Sequence, residues 1–179
     1  MNGTDLLMAE VDAESKIIDD INSIINDNTV WIKYHEFDAK PVSEQVLTED
    51  PFLSWLADKY EFIGGILKIK PFSQYDWHTD TNRGVSINML VAHKNSFLMF
   101  SDQEESLVKD ICPMQYKLNR YYLFNPQIPH SVINFEGDRY MFTIEFKRDK
   151  NSLTYEELYN DVFKNYYTKK YILEEATNE

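Results

Sequence analysis

The hydrophobic residues of the first segment recur mostly at steps of three and four, the period of a helix with one buried face. Acidic side chains lie on the opposite face. The apolar positions of this predicted helix are Val11, Ile17, Ile18, Ile21, Ile24 and Ile25. Residues 26–28 (Asn-Asp-Asn) end it, and residues 29–37 (TVWIKYHEF) predict a strand. A polar loop around Pro41 is expected to follow.

Two further helices are indicated by capping signals. Asp50 followed by Pro51 predicts an N-cap and a first-turn proline for a short helix through Lys59. Near the other end, Thr154 and Glu157 have the spacing of a capping box, followed by hydrophobic residues at helical steps. Helices are therefore expected on both sides of the central part of the chain.

The central part consists of short runs rich in β-branched and aromatic residues. Eight strands are predicted, at residues 62–70, 74–80, 85–92, 96–100, 114–118, 121–125, 130–135 and 139–146. Their short and fairly even spacing is typical of a sandwich or barrel. With helices at both ends, the pattern predicts a jelly roll in which helices pack on one outer sheet.

The whole chain is expected to form a single domain, because its length suits one domain and no linker interrupts the pattern. Within residues 1–179 this prediction assigns helices to residues 1–60, the β core to residues 62–147 and a C-terminal helical segment to residues 152–175.

Composition limits the chemistry. The chain carries 30 acidic and 18 basic residues, a net charge of -12, which argues against duplex nucleic acid as a partner. One cysteine, Cys112, excludes an internal disulfide and every multi-cysteine zinc site, so any metal would need histidine and carboxylate ligands. With no signal-peptide pattern and no apolar run of about 20 residues, a cytoplasmic protein without a membrane partner is expected.

Three residues form a candidate metal site. His78 and Asp80 are two apart on a predicted strand, so their side chains point to the same face. Such a pair arises easily by chance, but His130 follows a proline-bounded turn at residues 125–129 and opens another strand. Two histidines and one carboxylate are the facial triad typical of non-haem Fe(II) oxygenases, although zinc could bind the same groups.

Arg139 follows a predicted hairpin turn after the strand that begins at His130. In a hairpin closed by a two-residue loop, Arg139 would pair with position 134 or with Glu136, on the same side as His130. The alternative is an exposed arginine at the turn that forms an ion pair with Glu136 or Asp138.

The order His78, Asp80, His130 and Arg139 on β-rich runs resembles the Fe(II)- and 2-oxoglutarate-dependent dioxygenase superfamily, with its double-stranded β-helix (jelly roll, cupin-like) core. The segment 124–139 is the most specific part and is similar to the C-terminal half of prolyl-hydroxylase-like members.

Two other branches of the superfamily bear on the comparison. Thr81-Asn82-Arg83 resembles the aspartyl/asparaginyl-hydroxylase branch, which usually lacks the carboxylate that Asp80 supplies. Collagen-type prolyl hydroxylases usually have lysine at the position of Arg139.

The resemblance implies that His78, Asp80 and His130 hold Fe(II) and that Arg139 binds the distal carboxylate of the cosubstrate 2-oxoglutarate. With O2, such an enzyme hydroxylates a substrate and releases succinate and CO2. The substrate would be either a side chain of a peptide or protein, or a small molecule such as a free amino acid. The sequence leaves its identity and the oligomeric state open.

Ser86 and Asn88 alternate with apolar residues on one predicted strand. They indicate either a polar barrel interior that hydrogen-bonds the cosubstrate or simple polarity at a sheet edge. Two other functions also stay open: a cupin-type metalloenzyme that does not use 2-oxoglutarate, and a non-catalytic jelly-roll binding module. Activity that survives Arg139→Ala would favour the first, and absence of bound metal would favour the second.

Overall fold

The computed structural model describes residues 3–101 and 110–167, and within these ranges the chain forms eleven strands and four α-helices. The strands are β1 (Met8–Glu14), β2 (Ile32–Tyr34), β3 (Phe37–Val42), β4 (Phe62–Ile69), β5 (Ser73–His78), β6 (Ser86–Ala92), β7 (Asn95–Ser101), β8 (Ile111–Met114), β9 (Arg120–Phe124), β10 (His130–Glu136) and β11 (Arg139–Phe146). The helices are α1 (Ile18–Asn26), α2 (Glu44–Glu49), α3 (Pro51–Ala57) and α4 (Tyr155–Asp161), with a 3-10 helix at Gly3–Leu6 and a π-helical turn at Val162–Tyr166.

The strands form two sheets. The larger sheet has the order β1-β9-β6-β11-β4-β3-β2 and the smaller has the order β5-β10-β7-β8, and every paired strand is antiparallel. Successive strands cross repeatedly from one sheet to the other, as in a jelly roll. The predicted mainly β fold with flanking helices is confirmed.

The central strands of the larger sheet, β6, β9 and β11, are buried on both faces, because helices pack on one face and the smaller sheet packs on the other. On β11, Phe142 and Ile144 belong to the core under the helices, whereas Met141 packs with residues of the smaller sheet. Alternation along the strand therefore directs Arg139 and Thr143 into the space between the two sheets.

Both predicted helix caps are confirmed. Asp50 accepts hydrogen bonds from the backbone N–H groups of Phe52 and Leu53 at the start of α3. Thr154 and Glu157 form the reciprocal capping box of α4. The part of the predicted C-terminal helical segment at residues 168–175 lies outside the described residues.

The N-terminal prediction is wrong in part. Residues 8–14 form β1 rather than helix, because Val11 and Ala13 alternate with exposed residues and pairing with β9 satisfies the backbone of this segment. The predicted strand at 29–37 is interrupted by the turn at His35, whose φ is 51°, and divides into β2 and part of β3.

Pro41 was expected in a loop but lies in β3. At Pro41, β3 pairs only with β4, because β2 pairs with residues 37–39 alone, and an edge position of this kind tolerates a proline. The first 60 residues are thus not only helical, since three of their segments extend the larger sheet. The predicted strand at 114–118 also differs, because β8 occupies residues 111–114. No helix within the described ranges is long and apolar enough to cross a membrane.

The predicted hairpin geometry of Arg139 is wrong. β10 belongs to the smaller sheet and β11 to the larger, so Arg139 has Ile69 of β4 as its partner instead of position 134 or Glu136. The chain crosses between the sheets at Gly137, whose φ of 65° suits glycine.

Candidate metal centre

Two strand ends of the smaller sheet bring two imidazoles together. His78 is the last residue of β5 and His130 the first of β10, and the two are direct partners across the antiparallel ladder. Their ring centroids are 4.2 Å apart. Because antiparallel neighbours meet end to start, residues 52 positions apart in the sequence occupy one corner of the barrel.

Asp80 completes this cluster from the loop after β5, two residues beyond the strand end, and not from the strand predicted for it. Its backbone N–H donates to the carbonyl of Pro126 at 2.9 Å, and its Oδ1 lies 3.6 Å from Nε2 of His78. One ligand atom from each of His78, Asp80 and His130 lies within 4.8 Å of the others. The structure therefore brings all three predicted ligands together.

Both imidazoles are oriented by backbone carbonyls. Nδ1 of His78 lies 2.7 Å from the carbonyl oxygen of Asp76, and Nδ1 of His130 lies 2.9 Å from that of Ile128. Because a carbonyl only accepts, each Nδ1 carries a proton, and each Nε2 is the ring nitrogen that remains available to a metal. This arrangement is typical of metal-binding histidines.

Burial keeps His130 neutral. Its ring packs against Phe124 and Phe100 at centroid distances of 4.8 and 6.2 Å. Burial, helped by the nearby His78, lowers the pKa of His130 to about 4. The imidazole is therefore deprotonated at neutral pH, as a metal ligand must be.

Arg139 lies between the sheets and is only 4% exposed. Burial lowers the pKa of its guanidinium to about 10, so the charge persists at neutral pH. Among the residues that the structure describes, its Nε has no hydrogen-bond partner and no carboxylate forms an ion pair with the guanidinium. Glu136 and Asp138 pair instead with Lys94 and Lys68, so the alternative of an exposed arginine at the turn is wrong.

A cavity between the sheets connects this guanidinium to the candidate metal ligands. It encloses about 70 Å³ that the centre of a water molecule can reach, or about 570 Å³ when all the empty space out to its open mouth is counted, and both His130 and Arg139 line it. Its polar lining residues also include His78, Arg83, Ser86, Asn88, Tyr116 and Thr143, and its apolar ones include Leu67, Ile69, Leu98, Val132 and Met141. An uncompensated buried cation costs several kcal/mol, so the cavity favours an anionic ligand.

Ser86 and Asn88 lie on β6, which has β9 and β11 as neighbours, so they are not at a sheet edge. Asn88 accepts a hydrogen bond from Thr143 at 2.7 Å and donates to the hydroxyl of Tyr116 at 3.3 Å. Burial raises the pKa of Tyr116 to about 12, so the hydroxyl stays protonated. The sequence did not point to Thr143, which adjoins Asn88 only through strand pairing.

Outside the candidate metal ligands lies a wider groove of about 1360 Å³, again including open space. It is lined by the turn between β2 and β3, by the loop that follows β5 and by Glu145. Arg83 and His78 line both the groove and the inner cavity. The sequence did not predict the turn between β2 and β3, because the pattern of residues 29–37 predicted one continuous strand.

No protein-family model and no curated protein matches the sequence. Three solved structures show the fold, at 10–15% sequence identity. They are a 2OG-Fe(II) oxygenase family oxidoreductase from Burkholderia pseudomallei (10% identity, 76% of this chain and 79% of that one, TM-score 0.56), a Pseudomonas putida prolyl-4-hydroxylase (15%, 74% and 86%, 0.54) and the viral collagen prolyl hydroxylase of Paramecium Bursaria Chlorella virus-1 as a 2OG complex (13%, 79% and 95%, 0.55).

Proposed function

We propose that the protein is an Fe(II)- and 2-oxoglutarate-dependent oxygenase that hydroxylates a peptide or protein side chain or a free amino acid. One observation carries the proposal. A single cavity is lined by the imidazoles of His78 and His130 and by the buried guanidinium of Arg139, which has no anionic partner among the described residues, and the carboxylate of Asp80 lies beside the two imidazoles. The imidazoles and the carboxylate suit a metal, and the guanidinium suits a dicarboxylate.

His78, Asp80 and His130 would hold the metal. Two nitrogen donors and one oxygen donor leave further coordination positions open, which suits Fe(II) with a chelating cosubstrate. Bound iron would supply the oxidising power that couples decarboxylation of 2-oxoglutarate by O2, with release of succinate and CO2, to hydroxylation of a substrate C–H bond.

Arg139 would bind the distal carboxylate of 2-oxoglutarate. A guanidinium pairs with a carboxylate through two parallel hydrogen bonds. This pairing would neutralise the positive charge of Arg139, which is buried in a low-dielectric interior. Ser86 and Asn88 would orient the diacid with polar contacts along its length. The apolar walls formed by Leu98, Val132 and neighbouring residues would exclude water.

The substrate would enter through the outer groove, because that groove is lined by His78 and Asp80 and shares His78 with the inner cavity. The cytoplasmic location remains a prediction from the sequence.

The test is anaerobic addition of Fe(II) and 2-oxoglutarate to the purified protein. We expect a visible charge-transfer band in the wild type and no band in His130→Ala. In Arg139→Met we expect 2-oxoglutarate to bind on the order of 100-fold more weakly, since one partner of a buried charge pair is lost.

As a control, urea unfolding tests whether the Arg139→Met variant is folded. Without cosubstrate it should be at least as stable as the wild type, because an uncompensated buried charge is removed. A wild-type protein that binds metal but shows no band, or whose activity survives the substitution, would favour a cupin-type enzyme. A wild type that binds no metal would favour a binding module.

A further inference from the structure

The loop that carries Asp80 needs support from outside its own strand. β5 ends at His78, so no ladder holds Asp80 in place. Within the described residues its backbone is held by contacts with the segment 125–129, which leads directly into His130. The two halves of the candidate metal site are thus connected through this segment.

Gln127 makes the central contact. Its side-chain Nε2 donates to the carbonyl oxygen of Asp80 at 2.7 Å and to that of Arg83 at 2.8 Å. Gln127 is itself held, because its backbone N–H donates to Oδ1 of Asn125 at 3.1 Å. One amide group therefore bridges the beginning and the end of the loop between Asp80 and Arg83.

Arg83 acts on the carboxylate itself. Its Nε lies 2.7 Å from Oδ2 of Asp80, an ion pair that lacks the alignment of a hydrogen bond. The other oxygen, Oδ1, faces Nε2 of His78. Both side chains are largely withdrawn from solvent, at 28% exposure for Arg83 and 10% for Asp80. Solvent therefore screens this pair only in part.

We propose that Gln127 and Arg83 are positioning residues that make Asp80 a one-oxygen metal ligand. Gln127 fixes the backbone of both Asp80 and Arg83, and Arg83 occupies Oδ2 so that Oδ1 is presented to the metal. Partners of this kind, one step removed from the metal, typically change metal affinity by 10- to 100-fold. This inference rests on the proposed function, since it assigns Asp80 as a ligand.

The experiment measures Mn(II) binding to the full-length, metal-free protein by electron paramagnetic resonance, without turnover. Gln127→Met keeps the side-chain length but removes the donor, and we expect binding to weaken 10- to 100-fold. Gln127→Lys restores a donor that can reach two carbonyl oxygens, and we expect most of the affinity to return. Arg83→Met should weaken binding by a similar factor.

The double variant distinguishes positioning from general loosening. Because both residues act on one carboxylate, the combined loss should be smaller than the product of the two single losses. Ser43→Ala is the control. It removes the N-cap of α2, which contributes no residue to either cavity, so the thermal midpoint should fall while Mn(II) affinity stays unchanged.

Unchanged Mn(II) affinity in Gln127→Met would overturn the inference, as would multiplicative losses in the double variant. Equal losses in Gln127→Met and Gln127→Lys would overturn it as well. A wild-type protein that binds no Mn(II) would instead refute the proposed function.

Discussion

The side chains with the most unusual environments are the ones that the proposed chemistry needs. His130 is a buried imidazole whose Nε2 has no hydrogen-bond donor among the described residues, and Arg139 is a buried cation whose charge none of them neutralises. Each costs folding free energy when no ligand is bound. Such groups persist in a core when a ligand compensates for them, which links stability to binding at the level of single residues.

The pKa of His130 makes stability depend on pH in a defined direction. The folded-state pKa of about 4 lies below the unfolded value near 6.5, so the unfolded chain takes up the proton first as pH falls. The contribution of His130 to the free energy of unfolding is therefore fully present above about pH 6.5 and is lost as the pH falls toward 4. The loss should reach about 3 kcal/mol.

Urea unfolding of metal-free protein at pH 7, 6, 5 and 4 measures this loss. Other carboxylates and histidines titrate in the same range, so the informative quantity is the difference between wild type and His130→Gln. That difference should change by about 3 kcal/mol across the range. A constant difference would show that His130 is not held neutral by burial.

At the level of secondary-structure elements, the sequence correctly predicted the two helix caps but wrongly predicted which strand pairs with the strand that begins at Arg139. Asp50 and Thr154 cap their helices as predicted, because a cap depends on residues two or three positions away. The strand beginning at Arg139 also has its predicted limits, but it joins a different sheet from the strand before it. Pairing depends on which edges are free elsewhere, and local sequence does not encode that.

Asp50 gives an element-level prediction. Its carboxylate is fully buried and accepts hydrogen bonds from the backbone N–H groups of Phe52 and Leu53 and from the hydroxyl of Tyr121. Asp50→Ala would leave these donors unpaired inside the core. We expect it to lower the free energy of unfolding by about 3 kcal/mol or more.

Asp149→Ala is the matched control for Asp50→Ala. Asp149 also accepts hydrogen bonds from two backbone N–H groups, but it lies in an exposed turn where water can replace them. Its loss should cost less than about 1 kcal/mol by denaturant unfolding. Equal losses for the two variants would contradict a buried role for the Asp50 network.

At the scale of the whole molecule, the two histidines of the candidate metal site lie on two strands of the smaller sheet, while the residues proposed to contact the cosubstrate lie on the larger sheet. Ligands that bridge them should stabilise the entire sandwich. At 100 times the dissociation constant, a bound ligand contributes about 2.7 kcal/mol. For a chain of this size the thermal midpoint should rise by roughly 5–10 °C.

Calorimetry under anaerobic conditions with Mn(II) and 2-oxoglutarate measures this rise. His130→Gln should show almost none of it, since one ligand is lost. A rise of the same size in that variant would mean that the two compounds bind elsewhere.

The sequence alone determined the class of fold, most strand limits, both helix caps and the residues that the structure gathers around the candidate metal position. These features follow from side-chain periods, capping and short spacings, all of which act over a few residues. Tertiary structure decided that β1, β2 and β3 extend the larger sheet and that Arg139 faces inward from the opposite sheet. It also decided that Gln127 bridges the loop of Asp80. Each of these depends on contacts between segments far apart in the chain, whose energies no local pattern contains.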